Sequence, residues 1–320
     1  MTKPTFINII SMGWDASSPF AYTLQRTLKY AHFGYSKNFT LFVGKYNEKT
    51  KTFQGSRPEL SEKVINNTWE NWNYNKGHYM NHTEDLEPLK DFSLTHFGTL
   101  IKDTLGDAYI QFYLQLYNHV STKGYKAVAC FNERKSKSDN EYIKKYFNVK
   151  PICLCRDPVR RAISNCIKYH GKPIDNMDIY FKDYVPKIKY FKTFLPNLLI
   201  IPMEELWEDD GTTKQKLSKF LGTPVHSLWP NLYSPDIGHH LQWNLDKHYC
   251  PVPCQVIGQS SFEITPEVYN FYRKKYSYIY DTWKKHFGSL PLHWGEHIDY
   301  DKNLQIYPHY NLKKPLRDFL

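Results

Sequence analysis

Short apolar runs that hand over directly to amphipathic helices recur along this chain, and that alternation constrains its fold more than any other feature. FINIISMG, from residue 6, reads as a buried strand ending in a glycine turn. SSPFAYTLQRTLKYAH then puts Phe20, Leu24 and Leu28 on one helical face. NFTLFVG reads as a second strand, and LIKDTLGDAYIQFYLQLYNHVSTKG as a helix that stops at Gly124. AVACF is a strand, NEYIKKYF a helix, KPICLC a strand and DPVRRAISNCIKYHG the helix that follows it. NLLIIPMEEL is strand-like, TKQKLSKFLG is a helix closed by Gly222, and PEVYNFYRKKYSYIYDTWKKHFG reads as one long terminal helix. This succession predicts the α/β class, with a parallel sheet flanked by helices.

Two stretches interrupt the pattern. Residues 45–95 are polar and rich in Asn, Trp, Tyr and His, and read as an irregular insertion that shapes a substrate cleft. Residues 226–320 read as a loop followed by a helical cap, so the expected organisation is a single domain over 1–320. An apolar content of 41%, with 17% aromatics, excludes a disordered chain. The net charge of +10 would draw a polyanion: nucleic acid, an acidic polymer, or a small ligand with several phosphates. A solvated basic surface explains it equally well, and RKK and WKK in the terminal helix read that way, not as a nucleic-acid reader. No apolar run approaches a membrane span, and MTKPTFINIISMGWD lacks the signal-peptide pattern, so the expectation is a soluble, cytoplasmic protein. Six cysteines are too sparse for a disulfide scaffold, and the sequons at Asn38, Asn66 and Asn81 carry little without a secretory route.

The most informative hand-over is PICLCRDPVRRAIS, residues 151–164. Arg156 follows the apolar run at once, Asp157 suits a helix cap and Pro158 the first helical position. In open α/β sheets ligands bind beyond the carboxyl ends of the strands, where Arg156 is expected to sit. Ser164 lies seven residues past the cap, within about 20° of its face and roughly 10 Å along the axis. A guanidinium and a hydroxyl so placed can grip one phosphate. The plain alternative is that Arg156 pairs with a neighbouring acid and Ser164 is incidental.

RDPVRRAIS resembles the 3′-phosphate-binding segment of PAPS-dependent sulfotransferases, whose pattern is Arg-Asp-Pro, two residues, Arg, and then Ser. The resemblance is to carbohydrate- or heparan-type members. It implies a P-loop-NTPase-like sheet and assigns the 3′-phosphate of PAPS (3′-phosphoadenosine 5′-phosphosulfate) to Arg156 and Ser164. IIPMEELWEDDGTTKQKLSKFLG resembles the family's later segment, in matching order and separation. The N-terminal loop diverges. In GWDASSPF, Gly13 and Ser17 fit, Ala16 stands where the family has a cation, and Ser18, Pro19 and Phe20 replace Gly-Thr-Thr. Backbone amides with the Ser17 and Ser18 hydroxyls remain suited to a 5′-phosphate. Sulfuryl transfer needs positive charge on the leaving oxygen, for which Arg26, Lys29, Lys76, Arg134 and Lys135 are candidates.

The acceptor hydroxyl needs a base. NKGHYMNHTED partly matches a family segment, which makes His78 the first candidate and Glu84 the second, with His82 and Glu133 behind them. His239, His240, His248, Cys250 and Cys254 do not match a common zinc finger, and Pro251 and Pro253 suit a tight loop at least as well, so no metal is expected. The reading is sulfuryl transfer from PAPS to a carbohydrate or other small-molecule alcohol, releasing PAP. The alternatives are a kinase-like phosphotransferase, against which GWDASSPF lacks the GxxxxGK[ST] lysine and second glycine, and a non-catalytic PAP or PAPS binder, which Ala16 favours.

Overall fold

The computed structural model describes residues 2–12, 20, 24–25, 28–33, 45–47, 52–54, 87–89, 92, 105–131, 137–170, 173–207, 212–225, 241–243, 251–253 and 265–296. Five of the strands form one sheet: β1 (Thr5–Ser11), β2 (Ala31–His32), β5 (Ala127–Phe131), β6 (Asn148–Cys155) and β7 (Leu199–Pro202), in the order β2-β5-β1-β6-β7. β1 and β2 each pair in parallel with β5, and β6 pairs in parallel with β7. Helices lie between β2 and β5, between β5 and β6, and between β6 and β7 along the chain, as the α/β expectation requires. The chain separates into two compact units: Met1–Ile10 with Phe20–Pro151, and Ser11–Pro19 with Ile152–Leu320.

In the first unit, α1 (Leu105–Ser121) buries Tyr109, Ile110, Phe112, Tyr113, Leu116 and Val120, the stripe its sequence spacing predicts. They pack with Phe6, Val128, Cys130 and Phe147, and the Phe6 and Tyr113 rings meet edge-on at 5.0 Å. Gly124 (φ +94°) ends the segment in a conformation that glycine adopts without penalty. α2 (Lys137–Lys144) starts three residues before the expected helix. Its Asn140 accepts a 2.8 Å bond from Asn8 Nδ2, so the one polar side chain within the buried stretch of β1 before Ser11 is satisfied.

Two expectations change here. The first helix was expected to run through His32, but Ala31 and His32 pair with Ala127 and Val128 as β2. Lys29 turns the chain at φ +44°, and Tyr30 C=O accepts from the amides of both Lys126 and Ala127. The 45–95 stretch contains an antiparallel hairpin, β3 (Lys45–Asn47) with β4 (Thr52–Gln54), and a 3-10 turn at Glu87–Leu89. NFTLFVG lies outside the described residues.

The second unit holds α3 (Pro158–His170), α4 (Asp178–Phe181), α5 (Tyr184–Phe194), α6 (Met203–Trp207) and α7 (Thr212–Leu221). It also holds the antiparallel pair β8 (Leu241–Trp243) and β9 (Pro251–Pro253), then α8 (Pro266–Lys275) and α9 (Tyr278–Phe287). MEEL, expected to continue a strand, is the helix α6. The single terminal helix is two, because Tyr276 leaves the helical path at φ −110° to bond elsewhere. Its buried hydroxyl donates to Asp175 C=O and accepts from Met177 N–H. Arg273, Lys274 and Lys275 are exposed, as a solvated basic face requires. Among the described residues, no helix is long and apolar enough to cross a membrane.

Candidate functional site

β6 delivers four fully buried residues, Ile152–Cys155, and the chain stays buried as it turns into α3. Asp157 caps that helix. Its Oδ1 accepts from the amides of Val159 and Arg160, both at 3.0 Å, and Pro158 occupies the first helical position. The carboxylate does far more than cap. The Tyr269 hydroxyl donates to Oδ2 at 2.9 Å, the Gly295 amide donates to the same oxygen at 2.8 Å, and the Tyr280 hydroxyl lies 3.0 Å from both oxygens. Burial first, and then the Asp157 charge, push both phenols well above the usual tyrosine range, so they remain donors at any physiological pH. Gly295 has φ +82°, and a Cβ there would lie 3.1 Å from the Arg273 guanidinium, so glycine is needed for this amide to face Asp157.

Glu204, the first acid of MEEL, connects the two sequence motifs. Its Oε1 accepts from the Asp157 amide at 2.8 Å and its Oε2 from Trp294 Nε1 at 3.0 Å. Complete burial, and then the neighbouring Asp157 carboxylate, push its carboxyl up to about 7, against an opposing pull from the Arg156 guanidinium. The neighbouring Glu205 accepts from Thr213 Oγ1 and the Leu292 amide, which fixes α6 to α7 and to the segment after α9.

A pH dependence follows with a definite sign. Between the ordinary carboxyl value of 4.5 and about 7, folded Glu204 holds a proton that the unfolded chain has released. Its stabilising effect is complete below the lower value and is lost as pH rises through the upper one. Urea midpoints are therefore expected to fall between about pH 5 and pH 8, by up to roughly 3 kcal/mol from this group. Glu204→Gln should flatten that limb; an unchanged slope in the variant would contradict the assignment.

Arg156 has no exposed surface. The Tyr184 hydroxyl holds its backbone on both sides, accepting from its amide at 2.8 Å and donating to its carbonyl at 3.0 Å. Arg160 lies over the Tyr269 ring at 5.1 Å and donates to Glu296 C=O. Arg161 donates to Tyr180 C=O at 3.0 Å and Met12 C=O at 2.7 Å. The segment Arg156–Arg161 and Glu204 thus bury three guanidinium groups and two carboxyls, one net positive charge, or two when Glu204 is protonated. Burying charge on this scale costs several kcal/mol unless it is matched. This cluster of buried charge begins where β6 ends, at Cys155.

No family model matches the chain, and no curated protein matches it. Among solved structures, it is similar to the sulfotransferase domain from the curacin biosynthetic pathway, at 16% identity and TM-score 0.40, over 98% of this chain and 100% of that one. It is similar to the sulfotransferase domain from the Synechococcus PCC 7002 olefin synthase, at 11% identity and TM-score 0.41, over 98% of each chain. It is also similar to a sulfotransferase from Alicyclobacillus acidocaldarius, at 12% identity and TM-score 0.41, over 92% of this chain and 99% of that one. Likenesses this distant leave the functional reading to the residues themselves.

Of the expected site residues, Arg156 is placed at the strand end as anticipated, and Ser164 lies within α3, two turns after the cap, with its side chain outside the description. Gly13, Ala16, Ser17, Ser18, His78 and Glu84 lie outside the described residues, as do Arg26, Lys76, His82, Glu133, Arg134 and Lys135. The same holds for His239, His240, His248, Cys250 and Cys254. Lys29 is exposed. Among the described residues, no three His, Cys, Asp or Glu side chains form a metal-binding group. The sequence reading missed Glu204, Tyr269, Tyr280, Trp294 and Gly295 around Asp157. A signal for part of this set was present: Tyr269, Tyr276, Tyr280 and Trp283 recur at helical spacing, and all four are buried.

Proposed function

We propose that this chain is a sulfotransferase that moves the sulfuryl group of PAPS to a hydroxyl of a carbohydrate or other small-molecule alcohol and releases PAP. One observation carries the reading: the two segments that resemble the family meet in space, with Glu204 of MEEL accepting from the Asp157 amide of RDPVRRAIS. In this reading Arg156 and Ser164 hold the 3′-phosphate, and the Gly13–Ser18 stretch, including Ala16, Ser17 and Ser18, receives the 5′-phosphosulfate. His78, or else Glu84, takes the acceptor proton as the hydroxyl attacks sulfur and the sulfur–oxygen bond to PAP breaks. The excess of arginine over carboxylate in the buried cluster around Arg156 favours an anion of this kind.

Ala16, where the family has a cation, favours a second reading: a protein that binds PAP or PAPS without turning it over. Radiolabelled sulfate transfer from PAPS to a panel of sugars, phenols and lipid alcohols separates the two. Label appearing in at least one acceptor class, and lost in Arg156→Ala, is the expected result. Binding of PAP with no label in any acceptor class would leave the binder as the correct account.

A further inference from the structure

Arg161 is the third arginine of the RDPVRR stretch and is assigned no ligand contact in the reading above, yet its guanidinium is held on several sides. It is only 6% exposed. One of its terminal nitrogens donates to Tyr180 C=O at 3.0 Å and the other to Met12 C=O at 2.7 Å. Met12 directly follows β1, and its carbonyl is the last described backbone group before Gly13. The same guanidinium stands over the Tyr184 ring at 4.6 Å. That ring carries the hydroxyl that brackets Arg156, accepting from its amide and donating to its carbonyl. A continuous path therefore runs from the end of β1, through the Arg161 fork and the Tyr184 ring, to the backbone of Arg156. A surface-seeking arginine would be solvated; this one is bidentate to two backbone carbonyls and stacked on an aromatic face, a geometry lysine cannot reproduce.

We infer that Arg161 and Tyr184 are a positioning pair that fixes Arg156 in register with the end of β1, so that the two ends of a bisphosphorylated nucleotide are received at a preset spacing. The inference rests on the proposed PAPS chemistry for its ligand, and on the described side chains alone for its geometry. A ligand that bridges both ends gains from a fixed spacing, because engaging one end leaves the other already in place. A ligand with a single phosphate gains nothing from it.

Calorimetry with PAP, adenosine 3′-monophosphate and adenosine 5′-monophosphate, on the full chain and on Arg161→Gln, Arg161→Lys and Tyr184→Phe, reads this directly. Arg161→Gln and Tyr184→Phe should each weaken PAP about tenfold, and either monophosphate by less than about threefold. Arg161→Lys should fall nearer to Arg161→Gln than to the native chain. Because both act along one path, the double variant should lose little more than the worse single one. Unchanged PAP affinity, or equal losses for PAP and both monophosphates, would overturn the pairing. Hydrogen exchange on the ligand-free chains supplies a second readout. Arg161→Gln should speed exchange at Ser11–Met12, and Tyr184→Phe should speed it at the Arg156 amide, whose acceptor it removes. A native chain with no preference for PAP would remove the sulfotransferase reading; unaltered exchange at those positions would remove the positioning pair.

Discussion

Asp157→Ala is expected to cost the folded state about 3–5 kcal/mol. The carboxylate is fully buried and accepts from two amides of its own helix, from the Gly295 amide and from the hydroxyls of Tyr269 and Tyr280. Alanine would leave these donors facing one another in a site closed to water. Loss of the helix cap alone accounts for about 1 kcal/mol; the remainder comes from the stranded donors. Urea unfolding gives the value, and Asp157→Asn should fall between alanine and the native chain because it keeps one acceptor oxygen. A second readout is electrostatic. Without the Asp157 charge the Glu204 carboxyl should titrate lower, so the stability loss between about pH 5 and pH 8 should shrink. An alanine variant within about 1 kcal/mol of the native chain would mean that the tyrosines and Gly295 hold the cap region in place without it.

Arg156→Ala should weaken PAP binding by about 100-fold while changing adenosine binding by less than about threefold. The asymmetry is what identifies a phosphate contact; equal losses would assign Arg156 to the architecture alone. That distinction matters because Glu204 already feels the Arg156 charge. The substitution removes the pull that lowers the Glu204 carboxyl, so it should also raise that group further and extend the loss of stability to higher pH. Arg156→Lys keeps a positive charge without the planar fork, and is expected to retain the fold and lose about tenfold in PAP affinity.

The alternation of strand and helix was legible because each element carries its own period. FINIIS, AVACF and KPICLC are short apolar runs and became β1, β5 and β6, while the Tyr109–Val120 stripe became the buried face of α1. Where local signals failed, a tertiary bond decided. Ala31–His32 looks like the end of a helix, yet the paired amides of Lys126 and Ala127 on Tyr30 C=O draw it into the sheet. Tyr276 fits a continuous helix, yet its hydroxyl is committed to Asp175 and Met177.

The site divides in the same way. Arg156 at a strand end and Asp157 with Pro158 at a helix start could be read from spacing alone. The partners that turn Asp157 into a hub lie 112 residues away at Tyr269 and 138 away at Gly295, with no local pattern pointing back to it. Glu204 shows the limit most clearly. Its segment was picked out by resemblance, but its contact with the Asp157 amide is a product of the β6–β7 pairing, which sets Cys155 beside Pro202.

The central claim is that Arg156 stands where a nucleotide's 3′-phosphate is received. Calorimetric titration of the full chain with PAP, adenosine 5′-monophosphate and ATP tests it most directly, since only PAP carries phosphate on the 3′-oxygen. The account predicts that PAP binds at least about 30-fold more tightly than either of the others. Comparable affinity for all three, or a preference for ATP, would contradict it and return the chain to a kinase-like reading.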